Sequence, residues 1–187
     1  MGDLGSVPWP CPPIRTERLV LRQSEARDRA AVIELYASAE VHAYLGGPHA
    51  RDELERAVPE VPGRRPGYFV VELDGAAIGT VTLGRRDAER PGSPPSAAGP
   101  VELSYLFLPA AWGHGYATEA CSAALAWLAD VLPGERVVVC TQVANGPSMR
   151  LAAKLGFSEV ERFVEFGAEQ WFGVRDPAPV PGSARVG

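Results

Sequence analysis

The chain has 187 residues, 46% of them apolar and 22% charged, and carries a formal net charge of −5 at pH 7. That size fits one globular domain with its own core, and a negative charge without any Lys/Arg run excludes a nucleic-acid binder. Cys11, Cys121 and Cys140, like His42, His49 and His114, are scattered without ligand spacing, so neither a metal site nor a disulfide framework is expected.

Residues 1–13 hold four prolines and two glycines and are expected to form a flexible arm rather than regular structure. From Arg18 to Arg22 the pattern alternates, with Leu19 and Leu21 on one face, and predicts a first strand. Ser24 or Asp28 can cap a following helix whose apolar positions Ala31, Val32 or Ile33, Leu35 and Tyr36 recur at helical spacing. A short helix is expected from Arg51 to Val58. Tyr68–Leu73 and Ala77–Leu83 flank Asp74-Gly75, a pair that tolerates the positive φ angles of a tight hairpin turn. Between Arg85 and Pro100 runs a Pro/Gly/Ser/Ala-rich stretch, read as a mobile insertion.

Next comes a strand, with Val101, Leu103, Tyr105 and Phe107 on one face and Glu102, Ser104, Leu106 and Leu108 on the other. A helix from Thr118 to Leu132 presents Ala120, Ala124, Trp127, Leu128 and Val131 to the core and stops at Pro133-Gly134. Val137–Thr141 reads as a buried strand, and a helix from Pro147 to Leu155 ends at Gly156. A final hairpin, Ser158–Phe166 and Glu169–Val174, turns at Gly167-Ala168. The tail from 176 to 187 is expected to be disordered. The chain thus reads as one α/β (α+β) domain over residues 14–175 with a mixed sheet. With no leader-like or long apolar segment, it is expected to be cytoplasmic and off the membrane.

The chemistry is concentrated where the strand meets the long helix. Trp112-Gly113-His114-Gly115-Tyr116-Ala117 is a glycine loop that leads into a helix start, whose free backbone N–H groups favour an anion. Thr118 stands where a dinucleotide fingerprint needs glycine, and no Lys-Ser/Thr follows as in a P-loop. On its own, Gly113 with Gly115 could also be a plain tight turn.

This stretch resembles the coenzyme A pyrophosphate loop of the GNAT N-acetyltransferase superfamily, in which Gln/Arg-x-x-Gly-x-Gly/Ala precedes a helix. Gly115 and Ala117 fit, and Trp112 replaces the Gln or Arg. That replacement resembles the Rim-type branch, which acetylates ribosomal-protein amino termini. Thr16-Glu17-Arg18-Leu19-Val20-Leu21-Arg22, Asn145-Gly146-Pro147-Ser148 and Lys154-Leu155-Gly156-Phe157 add to the likeness, which runs from about Thr16 to Val174.

The resemblance implies a GNAT fold, a mostly antiparallel sheet splayed between its fourth and fifth strands with the coenzyme in the gap. It implies acetyl coenzyme A as cosubstrate, no metal, and direct attack by a primary amine of a protein terminus or a small molecule. The coenzyme would be held by Phe107, Leu108, Trp112, Gly113, His114, Gly115, Tyr116, Ala117, Thr118 and Asn145, with pantetheine amides on the backbone near Phe107 and Leu108. Glu102 stands where many relatives place a base, although a strand carboxylate can equally be solvated or ion-paired. Ser148 matches a serine near the thiolate, or it is a helix cap. Asn145 matches a coenzyme-contacting asparagine, or it is a cap. Where many members carry a tyrosine acid this chain has Ala152. The acceptor pocket would draw on residues 39–66 and 162–172, and the last strands or the N-terminal arm offer a route to a homodimer. Two other readings stay open: a coenzyme-binding sensor without transfer, and an interaction protein using the Pro-rich stretch at 91–100.

Overall fold

The computed structural model describes residues 2–5, 7–87, 90–91 and 99–177. They form an 8-stranded sheet in the order β1-β2-β3-β4-β5-β6-β8-β7. In chain order these are β1 (Ile14–Arg15), β2 (Val20–Arg22), β3 (Tyr68–Leu73), β4 (Ala76–Arg85), β5 (Val101–Phe107), β6 (Val137–Gln142), β7 (Ser158–Glu165) and β8 (Ala168–Arg175). The helices are α1 (Arg29–Ala37), α2 (Arg51–Ala57), α3 (Tyr116–Val131) and α4 (Gly146–Lys154). Every strand pair is antiparallel except β5–β6.

That exception organises the molecule. β5 and β6 are joined through α3, a crossover that a parallel pair requires, and they pair only at Val101↔Val137 and Glu102↔Val138. Beyond Glu102 the strands part, so the sheet is split over the rest of β5. The splay falls between the fifth and sixth strands because the two-residue β1 precedes the strand expected first.

The alternation of β5 sorts the two faces. Leu103 and Phe107 join Leu21, Phe69, Val71, Val81 and Leu83 in a core sealed by Ala120, Cys121, Ala124, Leu125 and Leu128 of α3. Val70, Thr80 and Leu106, in register across β3, β4 and β5, face the opposite side with Arg22 of β2. There Arg22 grips Asp28 ahead of α1 through two hydrogen bonds of 2.7 and 2.8 Å. Asp28 also accepts the Glu25 amide and therefore caps the short turn before α1 rather than α1 itself. The Ser24 hydroxyl is buried without a partner.

Two expectations need correction. The stretch 1–13 is not a loose arm over its described residues. Leu4 and Val7 are 3% and 8% exposed, Gly2 bridges to Arg85, and the Trp9 ring packs edge-on against Phe69 and Trp127. Prolines prevent periodicity there, but three apolar side chains suffice to bury it. The final turn is centred on Phe166 and Gly167, both at positive φ, one residue earlier than Gly167-Ala168. Of the expected insertion, residues 88–89 and 92–98 lie outside the described residues, as do 178–187 of the tail. Within that stretch Arg86 pairs with Glu102 and Arg90 with Glu165.

Candidate active site

The glycine loop follows β5 through a short turn at Pro109–Ala111. Gly113 and Gly115 both have φ +81, a left-handed conformation that side chains disfavour. Nothing lies within 4 Å of a Cβ built on Gly113. Gly115 is the N-cap of α3, which begins at Tyr116, so the first free amides of the helix belong to Tyr116, Ala117 and Thr118. An open, left-handed turn at the start of a 16-residue helix suits a diphosphate. His114 stacks on Tyr116 with ring centroids 5.4 Å apart, and Trp112 is 48% exposed.

The gap beside β5 offers backbone as well. The Val101 amide donates toward β6 (Arg136 O, 3.4 Å), whereas the Leu108 amide donates toward β4 (Ile78 O, 2.9 Å). Along a strand these directions alternate, so the amides of Leu103, Tyr105 and Phe107 turn toward the gap. Leu108 must therefore be withdrawn as a coenzyme ligand through its backbone. Its N–H serves β4, and its carbonyl accepts the Ala111 amide at 2.8 Å. The Phe107 carbonyl is also engaged, by Trp112 Nε1 at 2.8 Å, which ties the first residue of the glycine loop back to the strand. Of these two residues it is the Phe107 N–H that is left for a pantetheine. The open turn and the unpaired strand side together fit a coenzyme of this shape.

Ser148 and Asn145 meet at the start of α4. Asn145 is the N-cap, its Oδ1 accepting the Ser148 amide at 3.2 Å. Asn145 is thus the cap and Ser148 is not, leaving the Ser148 hydroxyl for other work. That hydroxyl is hydrogen-bonded to the Tyr105 hydroxyl, which reaches across from β5. Burial pushes Tyr105 up to about 12, outweighing the opposing effect of its bond to Ser148. Tyr105 is thus neutral at ordinary pH. The sequence did not single it out, because it looks like any inward residue of a strand. Ala152, at the position of the absent tyrosine, is buried in the core.

Glu102 lies on the other face of β5, not with Ser148. It is 7% exposed, and its Oε1 accepts from Arg86, a fully buried guanidinium, at 2.7 Å. Arg90 approaches its Oε2 to 4.0 Å and pairs with Glu165 at 2.7 Å. The surrounding surface holds Phe172, whose ring underlies Arg86, and Cys140, which is in contact with Gln170. Burial raises the Cys140 thiol, with Arg86 opposing, which suits a packed cysteine and not a nucleophile. Ser104, two residues along β5 from Glu102, is exposed on this face. Where β5 and β6 part, the two faces are no longer separated by paired strands. Among the described residues there is no cluster of three metal-ligating side chains, and no helix is long and apolar enough to cross a membrane.

Comparison with known proteins converges on one family. The sequence model of the acetyltransferase (GNAT) domain matches residues 18–158. An uncharacterized N-acetyltransferase of Bacillus subtilis (strain 168), YnaD, is 26% identical over 164 residues, covering 84% of this chain and 91% of its own. The structure of a GNAT-family acetyltransferase from Bacillus anthracis superposes with a TM-score of 0.73 at 23% identity, covering 88% and 98% of the two chains. Spermidine N-acetyltransferase from Vibrio cholerae, solved with CoA and spermine, gives 0.69 at 20% identity over 87% and 97%.

Proposed function

The chain belongs to the GNAT acetyltransferase family, and from that premise we propose that it moves an acetyl group from acetyl coenzyme A to the primary α-amine of a peptide or small molecule. Acetyl coenzyme A supplies the thioester, an acyl group activated for attack. The observation that carries the reading is the split between β5 and β6, which ends at the left-handed glycine loop on α3. The amides of Tyr116, Ala117 and Thr118 hold the diphosphate, with Trp112, Gly113, His114 and Gly115 forming the turn around it, and the Phe107 N–H holds the pantetheine. On the thiol side the Tyr105 and Ser148 hydroxyls share a hydrogen bond; with Tyr105 as its donor, the Ser148 proton is left for the departing sulfur. On the acceptor side Arg86 fixes Oε1 of Glu102, and Oε2 receives the amine proton through a water. The amine nitrogen bonds to the acyl carbon, the carbon–sulfur bond breaks, and the sulfur ends as a thiol.

The same pairing supports the acceptor class. With Oε1 held by the buried Arg86 guanidinium, Glu102 has a single oxygen to offer the amine, which suits an acceptor that needs little help with deprotonation. An α-amine of pKa about 8 needs roughly 1 kcal/mol to lose its proton at neutral pH, a lysine-like amine nearer 4–5. Glu102 and Glu165 are already matched by Arg86 and Arg90, which gives a polycation little to bind there. The test offers the wild-type enzyme, with acetyl coenzyme A at pH 7, an N-terminal peptide, spermidine and an aminoglycoside, and reads thiol release and the mass of each acceptor. The peptide is expected to gain one acetyl group with the highest kcat/KM. Preference for either polycation would overturn the α-amine assignment.

A further inference from the structure

Thr16 to Arg22 matched the family motif, yet the reaction above uses none of these residues. Arg18 lies just ahead of β2, about a hundred positions from the glycine loop, but its side chain reaches that loop directly. Nη1 donates to the His114 carbonyl at 3.0 Å, and the guanidinium lies 4.7 Å from the centre of the Tyr116 ring. Nη2 is 3.6 Å from the position of a Cβ on Gly115. The other partner is Glu119, in the first turn of α3. Its Oε1 accepts from the Thr16 hydroxyl at 2.6 Å and the Arg18 amide at 2.9 Å, and its Oε2 from Arg18 Nε at 2.8 Å.

We propose that Arg18 is a positioning residue for the coenzyme diphosphate: it aims the amide of Gly115 at the ligand and cancels the charge of Glu119 beneath it. This rests on the coenzyme reading given above. The aiming follows from peptide geometry. The His114–Gly115 bond is trans, since the only cis bond among the described residues is Trp9–Pro10. In a trans peptide the carbonyl and the following N–H point in opposite directions. Holding the His114 carbonyl on Arg18 therefore turns the Gly115 N–H away from Arg18, toward the open side of the loop. The charge argument is independent. A carboxylate in the first turn of α3 shares the helix dipole with its own N–H groups and would repel a second anion there. Burial alone would raise Glu119, but Thr16 and Arg18 together hold it below its usual range, so it stays ionised with its charge matched by the guanidinium.

A purely structural role makes a different forecast. The Arg18 side chain is 41% exposed, and an exposed ion pair adds little to stability. Arg18→Ala should leave the melting temperature nearly unchanged while weakening coenzyme A binding, measured by calorimetry, by about ten-fold or more. The kcat at saturating acetyl coenzyme A should stay near wild type, and kcat/KM for acetyl-pantetheine, a thioester with no diphosphate, should not move. Arg18→Lys should restore binding only in part, because an ammonium cannot replace the fork. Adding Glu119→Gln to Arg18→Ala should recover part of the affinity, since the charge to be cancelled is gone while the His114 carbonyl is still not held. Unaltered coenzyme A affinity in Arg18→Ala, or equal losses on both thioesters, would overturn the proposal. Wild-type protein that binds no coenzyme A would instead defeat the reading beneath it.

Discussion

At the scale of the residue, the site is defined by what each polar group is already bonded to. Glu102 is the clearest case. In the sequence it is a carboxylate on the polar face of a strand, and both a base and an ion pair fit that description. In the structure the ion pair is present, with Arg86 on one oxygen and the other oxygen 4.0 Å from Arg90. Arg86 comes from the stretch after β4, where no periodicity announced a buried arginine, so the partner was not legible. The base role makes its own forecast. Glu102→Gln keeps an acceptor for Arg86 but removes the proton acceptor, and kcat should fall about a hundred-fold with coenzyme A affinity retained. A kcat and pH–rate profile like those of wild type would leave Glu102 as an anchor for Arg86 only. Ser148 shows the reverse situation: Asn145 does the capping, and this frees the serine hydroxyl to meet Tyr105.

Elements show which kinds of signal travel from sequence to fold. The hairpin at Asp74-Gly75 was legible because two residues at φ 50 and 83 demand that pair. α3 was legible from its spacing of small and apolar residues, although it begins at Tyr116 and not at Thr118. The packing of Leu4, Val7 and Trp9 was not: the rings that meet Trp9, Phe69 and Trp127, are distant in sequence. The split between β5 and β6 came only through the likeness to a family, since nothing in the residues of β5 says where its neighbour leaves it.

The segment between α1 and α2 was the least legible. In it His42 is 4% exposed, against the rings of Tyr36 and His49, and among the described residues neither ring nitrogen has a hydrogen-bond partner. Burial first, and the neighbouring His49 second, hold His42 below its ordinary range. The unfolded chain therefore binds a proton at about pH 6.5 that the folded chain refuses, so this stability is present above that pH and lost as pH falls below it. The melting temperature should drop between about pH 7.5 and 5.5, well above the range where carboxylates begin to protonate. His42→Phe should flatten that drop. An equally steep fall in the variant would assign it to other groups.

For the whole molecule, one split sheet serves two chemistries. The face with α3 and α4 holds the glycine loop, Tyr105 and Ser148, and the face with α1 holds Glu102 in its ring of arginines. Between these two faces β5 and β6 pair at two positions and then part. The family and the fold are shown, while the proposed role of the surface near Glu102 in acceptor choice is a matter for the acceptor assay. The central claim is that the gap and the glycine loop form an acetyl coenzyme A site. Thermal unfolding with and without acetyl coenzyme A, beside an adenine nucleotide control, tests it most directly. At a hundred times its dissociation constant a ligand adds about 2.7 kcal/mol, a rise of roughly 5 to 10 °C for a chain of this size. A rise of that order with acetyl coenzyme A, and a much smaller one with the nucleotide, is the predicted result. No rise at millimolar acetyl coenzyme A would contradict the account.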